Sequence, residues 1–115
     1  MAASNYSELQ TEIVKDLTLE LQKTPGFDPD ILAVKVKNAI QEVIMQRNYA
    51  ATSYTESQIV ADLHNYYSVI VNIARYDYNQ IGAEGEQQHS ENGIARSYVK
   101  RDDLFKGVHA FVKVL

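Results

Sequence analysis

Residues 69–98, VIVNIARYDYNQIGAEGEQQHSENGIARSY, decide how the rest of the chain is read. To about Asn79 the stretch keeps Ile70, Ile73 and Ala74 at helical spacing, and it reads as the end of a long apolar helix. Over about 81–98 the periodicity stops. Gly82, Gly85 and Gly93 permit backbone angles that other residues avoid. Glu84, Glu86 and Glu91 are balanced only by Arg96, and no apolar run is long enough to bury itself. Compact domains seldom carry so long a connection without a function for it.

Toward the N-terminus, the helix that enters this stretch is expected over 56–79. Thr55 and Gln58 have the spacing of a capping box. Ile59, Leu63, Tyr66, Ile70, Ile73 and Ala74 fall on one face, with a second stripe of Val60, Tyr67, Val71 and Tyr78 beside it. Such a helix would be about 36 Å long. Asp77 lies near the first face. It reads either as a hydrogen-bonded group near a helix end or as a charge partner, across a subunit boundary, for Arg75 or Arg96 of a neighbour.

Residues 48–54 form a connector, preceded by a helix expected over 29–48. Asp28 can cap that helix, Pro29 suits its first position, and Asp30 suits the positive end of its dipole. Leu32, Val36, Ala39 and Val43 form its main face, widened by Ile40 and Ile44, while Ile31, Val34 and Met45 lie elsewhere on the circumference. A helix apolar on more than one side is central in a bundle or touches a neighbouring subunit. A first helix is expected over 7–23, capped by Ser7 with Gln10, carrying the stripe Leu9, Ile13, Leu17 and Leu21, and ended by Pro25 and Gly26.

Downstream of the connection, Asp102 and Asp103 suit the start of a short fourth helix, and Leu104, Val108, Phe111 and Leu115 keep helical spacing. The final residues 111–115 also fit an extended chain. An end this apolar packs on its own domain or on a partner. The expected fold is all-α: a small bundle of three main helices plus a short C-terminal helix, in a single domain over 1–115.

The chain has 115 residues, no cysteine and a net charge of −4, with 45% apolar residues, which fits one folded domain without disulfides. Neither a membrane span nor an export signal is legible, so synthesis in the cytoplasm is expected. The negative charge argues against attraction to nucleic acid over the whole surface, and a helix-turn-helix reading lacks a basic recognition helix. Charge is uneven: residues 1–81 hold ten acids and six bases, whereas 99–115 hold two acids and four bases, so the C-terminal segment is locally basic. His64, His89 and His109 have no partner at metal-ligand spacing, and a cation held by Glu84, Glu86 and Glu91 would not follow the EF-hand pattern. No nucleophile elbow or phosphate loop is present. The reading is therefore not an enzyme, with no catalytic, metal or cofactor-binding residues and no cofactor. Eight tyrosines are many for this length, and Tyr67, Tyr76 and Tyr78 are candidates for contact.

One ordered series remains: Tyr78-Asn79, then Ile81-Gly82-Ala83-Glu84-Gly85-Glu86, then His89-Ser90-Glu91-Asn92-Gly93-Ile94, then Arg96-Ser97-Tyr98. It resembles the signature region of head–tail connector (adaptor) proteins of tailed bacteriophages, densely over 78–98 and by helix order elsewhere. The resemblance implies a structural virion protein of the neck, made in the host bacterial cytoplasm. It implies a homo-oligomeric ring of about twelve copies, a dodecamer, whose head-to-tail contacts close. The ring would lie under the portal protein, extend the DNA channel, and offer a platform to a tail-side neck or stopper protein. DNA would pass without sequence-specific binding, and no membrane is involved. The contact loop would comprise Gly82, Glu84, Gly85, Glu86, His89, Ser90, Glu91, Asn92, Gly93, Arg96 and Tyr98, with its acids making the lumen or rim negative. A C-terminal docking segment would use Arg101, Leu104, Phe105, Val108, Phe111, Val112 and Leu115, with Lys100, Arg101, Lys106 and Lys113 meeting acidic groups on the portal. Ile44, Tyr67, Tyr76 and Tyr78 would serve contacts between subunits. The alternative is a small cytoplasmic helical adaptor or regulator that binds one protein partner as a monomer or dimer.

Overall fold

In the computed structural model, which describes residues 5–83 and 101–112, the described residues are helical or irregular and contain no strand. The helices are α1 (Tyr6–Leu21), α2 (Pro29–Arg47), α3 (Glu56–His64) and α4 (Tyr67–Ala83), with short 3-10 turns at Tyr49–Ala51 and Arg101–Phe105.

Local chemistry sets most of the boundaries. Asn5, two residues earlier than the expected cap, opens α1 by accepting the Glu8 N–H at 2.8 Å. Asp28 caps α2 by accepting the N–H groups of Asp30 and Ile31, with Pro29 at the first position. Between them Gly26 turns the chain at φ +78°, a conformation that favours glycine. Asn48 ends α2 in the left-handed region at φ 56°, which asparagine tolerates better than most residues. Thr55 and Gln58 form both hydrogen bonds of a capping box at the start of α3.

The single helix expected over 56–79 is two helices. At Asn65 and Tyr66 the backbone bonds shorten to the 3-10 pattern, Asn65 N–H to Asp62 O and Tyr66 N–H to Leu63 O, before α4 resumes with Ile70 N–H to Tyr66 O. The apolar stripe runs across the break, so periodicity gave no sign of it. The far end also differs: α4 continues through Gly82 to Ala83, past the boundary expected near Asn79. In place of a short fourth helix the structure has a 3-10 turn followed by irregular chain.

α2 is the central element, packing most extensively on α4 and next on α1. The expected stripes supply the core. Leu9, Ile13 and Leu17 of α1, Leu32, Val36, Ala39 and Val43 of α2, Val60 and Leu63 of α3, and Ile70, Ile73 and Ala74 of α4 are fully buried. Ile40 joins them, and Ile44, Ile59 and Tyr66 pack at the edge. Val34 and Met45 stay on the outside of α2, 53% and 78% exposed.

Candidate functional site

The described part of the C-terminal segment, residues 101–112, lies as a strap on its own chain, held at two places by arginine. At the first, Arg101 bridges two helices. Its guanidinium donates to both oxygens of Asp77 on α4, at 2.8 and 2.7 Å, and to both oxygens of Glu42 on α2. Paired forks of this kind are directional as well as strong. Asp77, which the sequence left between a local role and a subunit contact, is thus paired within the chain. Phe105 lies under the Arg101 guanidinium, 5.6 Å from ring centre to charge.

At the second place the hub is Arg47, the last residue of α2. Its Nε and Nη2 donate to the two oxygens of Asp62 on α3, at 2.8 and 3.0 Å, and the Tyr49 hydroxyl donates to the same carboxylate at 2.6 Å. The remaining Arg47 nitrogen donates to the carbonyl of His109 in the strap. The Phe111 ring covers the guanidinium at 4.1 Å. The strap backbone is fixed beside it, with Phe111 N–H donating to Arg47 O at 2.8 Å and the Asn48 side-chain amide donating to Phe111 O at 3.1 Å. Tyr49 and Tyr54 close around Phe111 with ring centres 5.8 and 5.5 Å away. Burial, followed by the hydrogen bond to Asp62, pushes the Tyr49 hydroxyl's pKa well above its ordinary range.

Arg47, Glu42, Asp62 and Tyr49 were not singled out from the sequence. Arg47 did leave a signal: it continues the buried spacing Leu32, Val36, Ala39, Val43 by one more step of four, a charge on an apolar stripe. A buried arginine needs an acid partner, but nothing in the spacing says that the partner is Asp62.

The other sequence candidates are distributed as follows. Of the docking segment, Val108 is buried, Leu104, Phe105 and Phe111 are half-buried against the core, and Val112 is 80% exposed. Among the helix candidates, Ile44, Tyr67, Tyr76 and Tyr78 are half-buried. Tyr78 accepts the Asp28 N–H at 2.8 Å and packs on Phe27, so it pins the end of α4 to the turn before α2. Tyr67 donates to Asp16 and stacks on His64. His64 Nε2 lies 3.4 Å from Glu12 Oε1 without hydrogen-bond alignment. Gly82 is in the last turn of α4. Glu84, Gly85, Glu86, His89, Ser90, Glu91, Asn92, Gly93, Arg96, Tyr98, Lys100, Lys113 and Leu115 lie outside the described residues.

The polar groups of both clasps are paired with each other, an arrangement that fixes chain segments. Among the described residues no group of three or more His, Cys, Asp or Glu side chains is placed to hold a metal ion, and no helix is long and apolar enough to cross a membrane. An open cleft of about 470 Å³ lies between Thr24, Pro25, Gly26, Asp28, Ile31, Tyr78 and Asn79, with the Asp28 carboxylate turned to capping α2. No protein-family model, no curated protein and no solved structure matches the chain.

Proposed function

We propose that the protein is a structural head–tail connector of a tailed phage or prophage. It forms a closed ring of about twelve copies under the capsid portal, with one heterologous interface per neighbour. The ring extends the DNA channel and gives a tail-side neck or stopper protein its platform. The protein is made in the host cytoplasm and ends in the virion neck. The observation that carries the reading is the ordered series from Tyr78 to Tyr98. Two features of the molecule accord with it: an all-α body, and exposed Val34 and Met45 on the outer face of its central helix.

The test is stoichiometry in two contexts: light scattering on the free protein and electron microscopy of the protein on purified portal or capsids. A closed ring on the portal is expected. A stable monomer or dimer that ignores portal and capsid would overturn the reading and leave the small helical adaptor in its place.

Within this reading the acids of the loop line the lumen or rim and repel DNA weakly enough to let it slide. Lysine at Glu84, Glu86 and Glu91 together is then expected to slow DNA release from assembled particles. Release at the ordinary rate would remove the role of those acids.

A further inference from the structure

The hydrogen bonds and ring contacts that hold the strap fall on residues 42–77. Glu42 and Asp77 receive Arg101, the Arg47 side chain and carbonyl receive His109 and Phe111, and Asn48, Tyr49 and Tyr54 surround Phe111. The strap therefore brings an arginine fork, the Phe111 N–H, the carbonyls of His109 and Phe111 and an aromatic anchor to a fixed set of partners on the body.

The chain that joins strap to body is far longer than this docking needs. Arg101 sits on Asp77, six residues back from Ala83, which is about 9 Å along a helix. The 17 residues between Ala83 and Arg101 can span up to about 60 Å of extended chain. That exceeds the 51 Å longest dimension of the molecule. The same strap can thus reach an identical site on an adjacent copy.

The contacts are the same in both arrangements, so exchange costs no contact energy. Concentration decides between them. A long connection gives its own site an effective concentration on the order of millimolar or below, falling with length. Dilute chains dock their own straps. Copies held side by side offer a neighbour's site at comparable concentration, and each exchanged strap then ties two copies together.

We propose that residues 101–112 are an exchange element, docking on their own body in the isolated chain and on the Glu42–Asp77 and Arg47 sites of a second copy when copies are packed together. The proposal deepens the ring reading, on which it rests for what packs the copies. A strap passed in one direction from copy to copy is a head-to-tail contact of the kind that closes a ring.

The chain has no cysteine, so introduced pairs report without background. Asn48→Cys and Ala110→Cys are both exposed and flank the Phe111 N–H to Arg47 O hydrogen bond. Oxidation of the double variant at low micromolar concentration is expected to give mostly monomer with an internal link. Oxidation of concentrated protein and of portal-bound protein is expected to shift most of the product to a ladder of covalently joined chains. Internal links alone under all three conditions would overturn the proposal. Rings on the portal with internal links only would keep the ring reading and remove exchange; a ladder in concentrated protein without rings would do the reverse. A second pair guards against a misfolded variant: Arg101→Glu and Glu42→Lys chains each lack a complete first clasp, and mixing them regenerates one native clasp only between chains. A mixture whose mass rises to that of a heterodimer supports exchange, whereas folded variants that stay monomeric when mixed count against it.

Discussion

Truncating Arg47 would leave the Asp62 carboxylate and the Tyr49 hydroxyl facing each other without a cation, and would uncover one face of Phe111. The Arg47 and Asp62 side chains are only 10% and 15% exposed, so water cannot readily replace the lost partner. Breaking a buried pair by removing one side costs about 3–5 kcal/mol, and Arg47→Ala is expected to lower stability by that order in urea titrations. A loss below about 1 kcal/mol, the size of a surface pair, would mean that the hub is solvated. The tyrosines bring a pH dependence. Burial first, then hydrogen bonds to Asp62 and Asp16, raise the Tyr49 and Tyr67 hydroxyls above the ordinary 10.0. Above that pH the unfolded chain releases these protons before the folded one does. The stability they confer is complete below about pH 10 and drains away as pH rises toward their folded-state values. The urea midpoint is expected to fall on going above pH 10, and to fall less in Tyr49→Phe and Tyr67→Phe; an unchanged slope in both variants would show that other groups set the alkaline limit.

At the scale of the elements, short local signals fix where helices begin, and tertiary contact fixes where they break. The capping box of Thr55 and Gln58 sits at the head of α3, a helix of only nine residues. A helix that short has little stability of its own, so its first turn depends on the cap. Thr55→Ala is expected to cost about 1 kcal/mol, read by thermal or urea unfolding. No measurable loss would indicate that the Tyr6 N–H contact to Glu56 and the packing on α1 suffice to hold the start of α3. The break between α3 and α4 has a different origin. Asn65 and Tyr66 contain no proline or glycine, yet Tyr66 must lie beside Arg47, at 4.8 Å, while Leu63 and Ile70 stay fully buried. Two helices joined by a 3-10 step meet both demands.

Across the whole molecule, the proposed ring would use the outer face of α2, which the fold of one copy leaves exposed. Val34 and Met45, eleven residues apart, share one helical face, and the positions between them on that face, Asn38 and Gln41, are uncharged and exposed. A ring needs such a surface, and the fold of one copy does not. Met45→Asp is expected to leave the unfolding midpoint within about 0.5 kcal/mol of the parent and to reduce ring formation on the portal. Rings at parental yield would place the interface elsewhere.

The all-α class and the stripes that supply most of the buried apolar residues were legible in the sequence, whereas the central position of α2 was one of two readings left open. Stripes such as Leu9, Ile13, Leu17 and Leu21 record burial with the period of the helix, and caps such as Asp28 and Thr55 act on backbone groups two or three residues away. These are local relations, so the local sequence contains them. The split at Asn65, the pairing of Asp77 with Arg101, and the hub at Arg47 were not legible. They join residues 24, 15 and 62 positions apart in the chain or yield to such a join, and no periodicity encodes which arginine meets which acid. The sequence by itself determined which residues leave water and where helices can start. Only the tertiary structure decided which charges, once brought together in a low-dielectric setting, must pair, and so where the C-terminal strap lies.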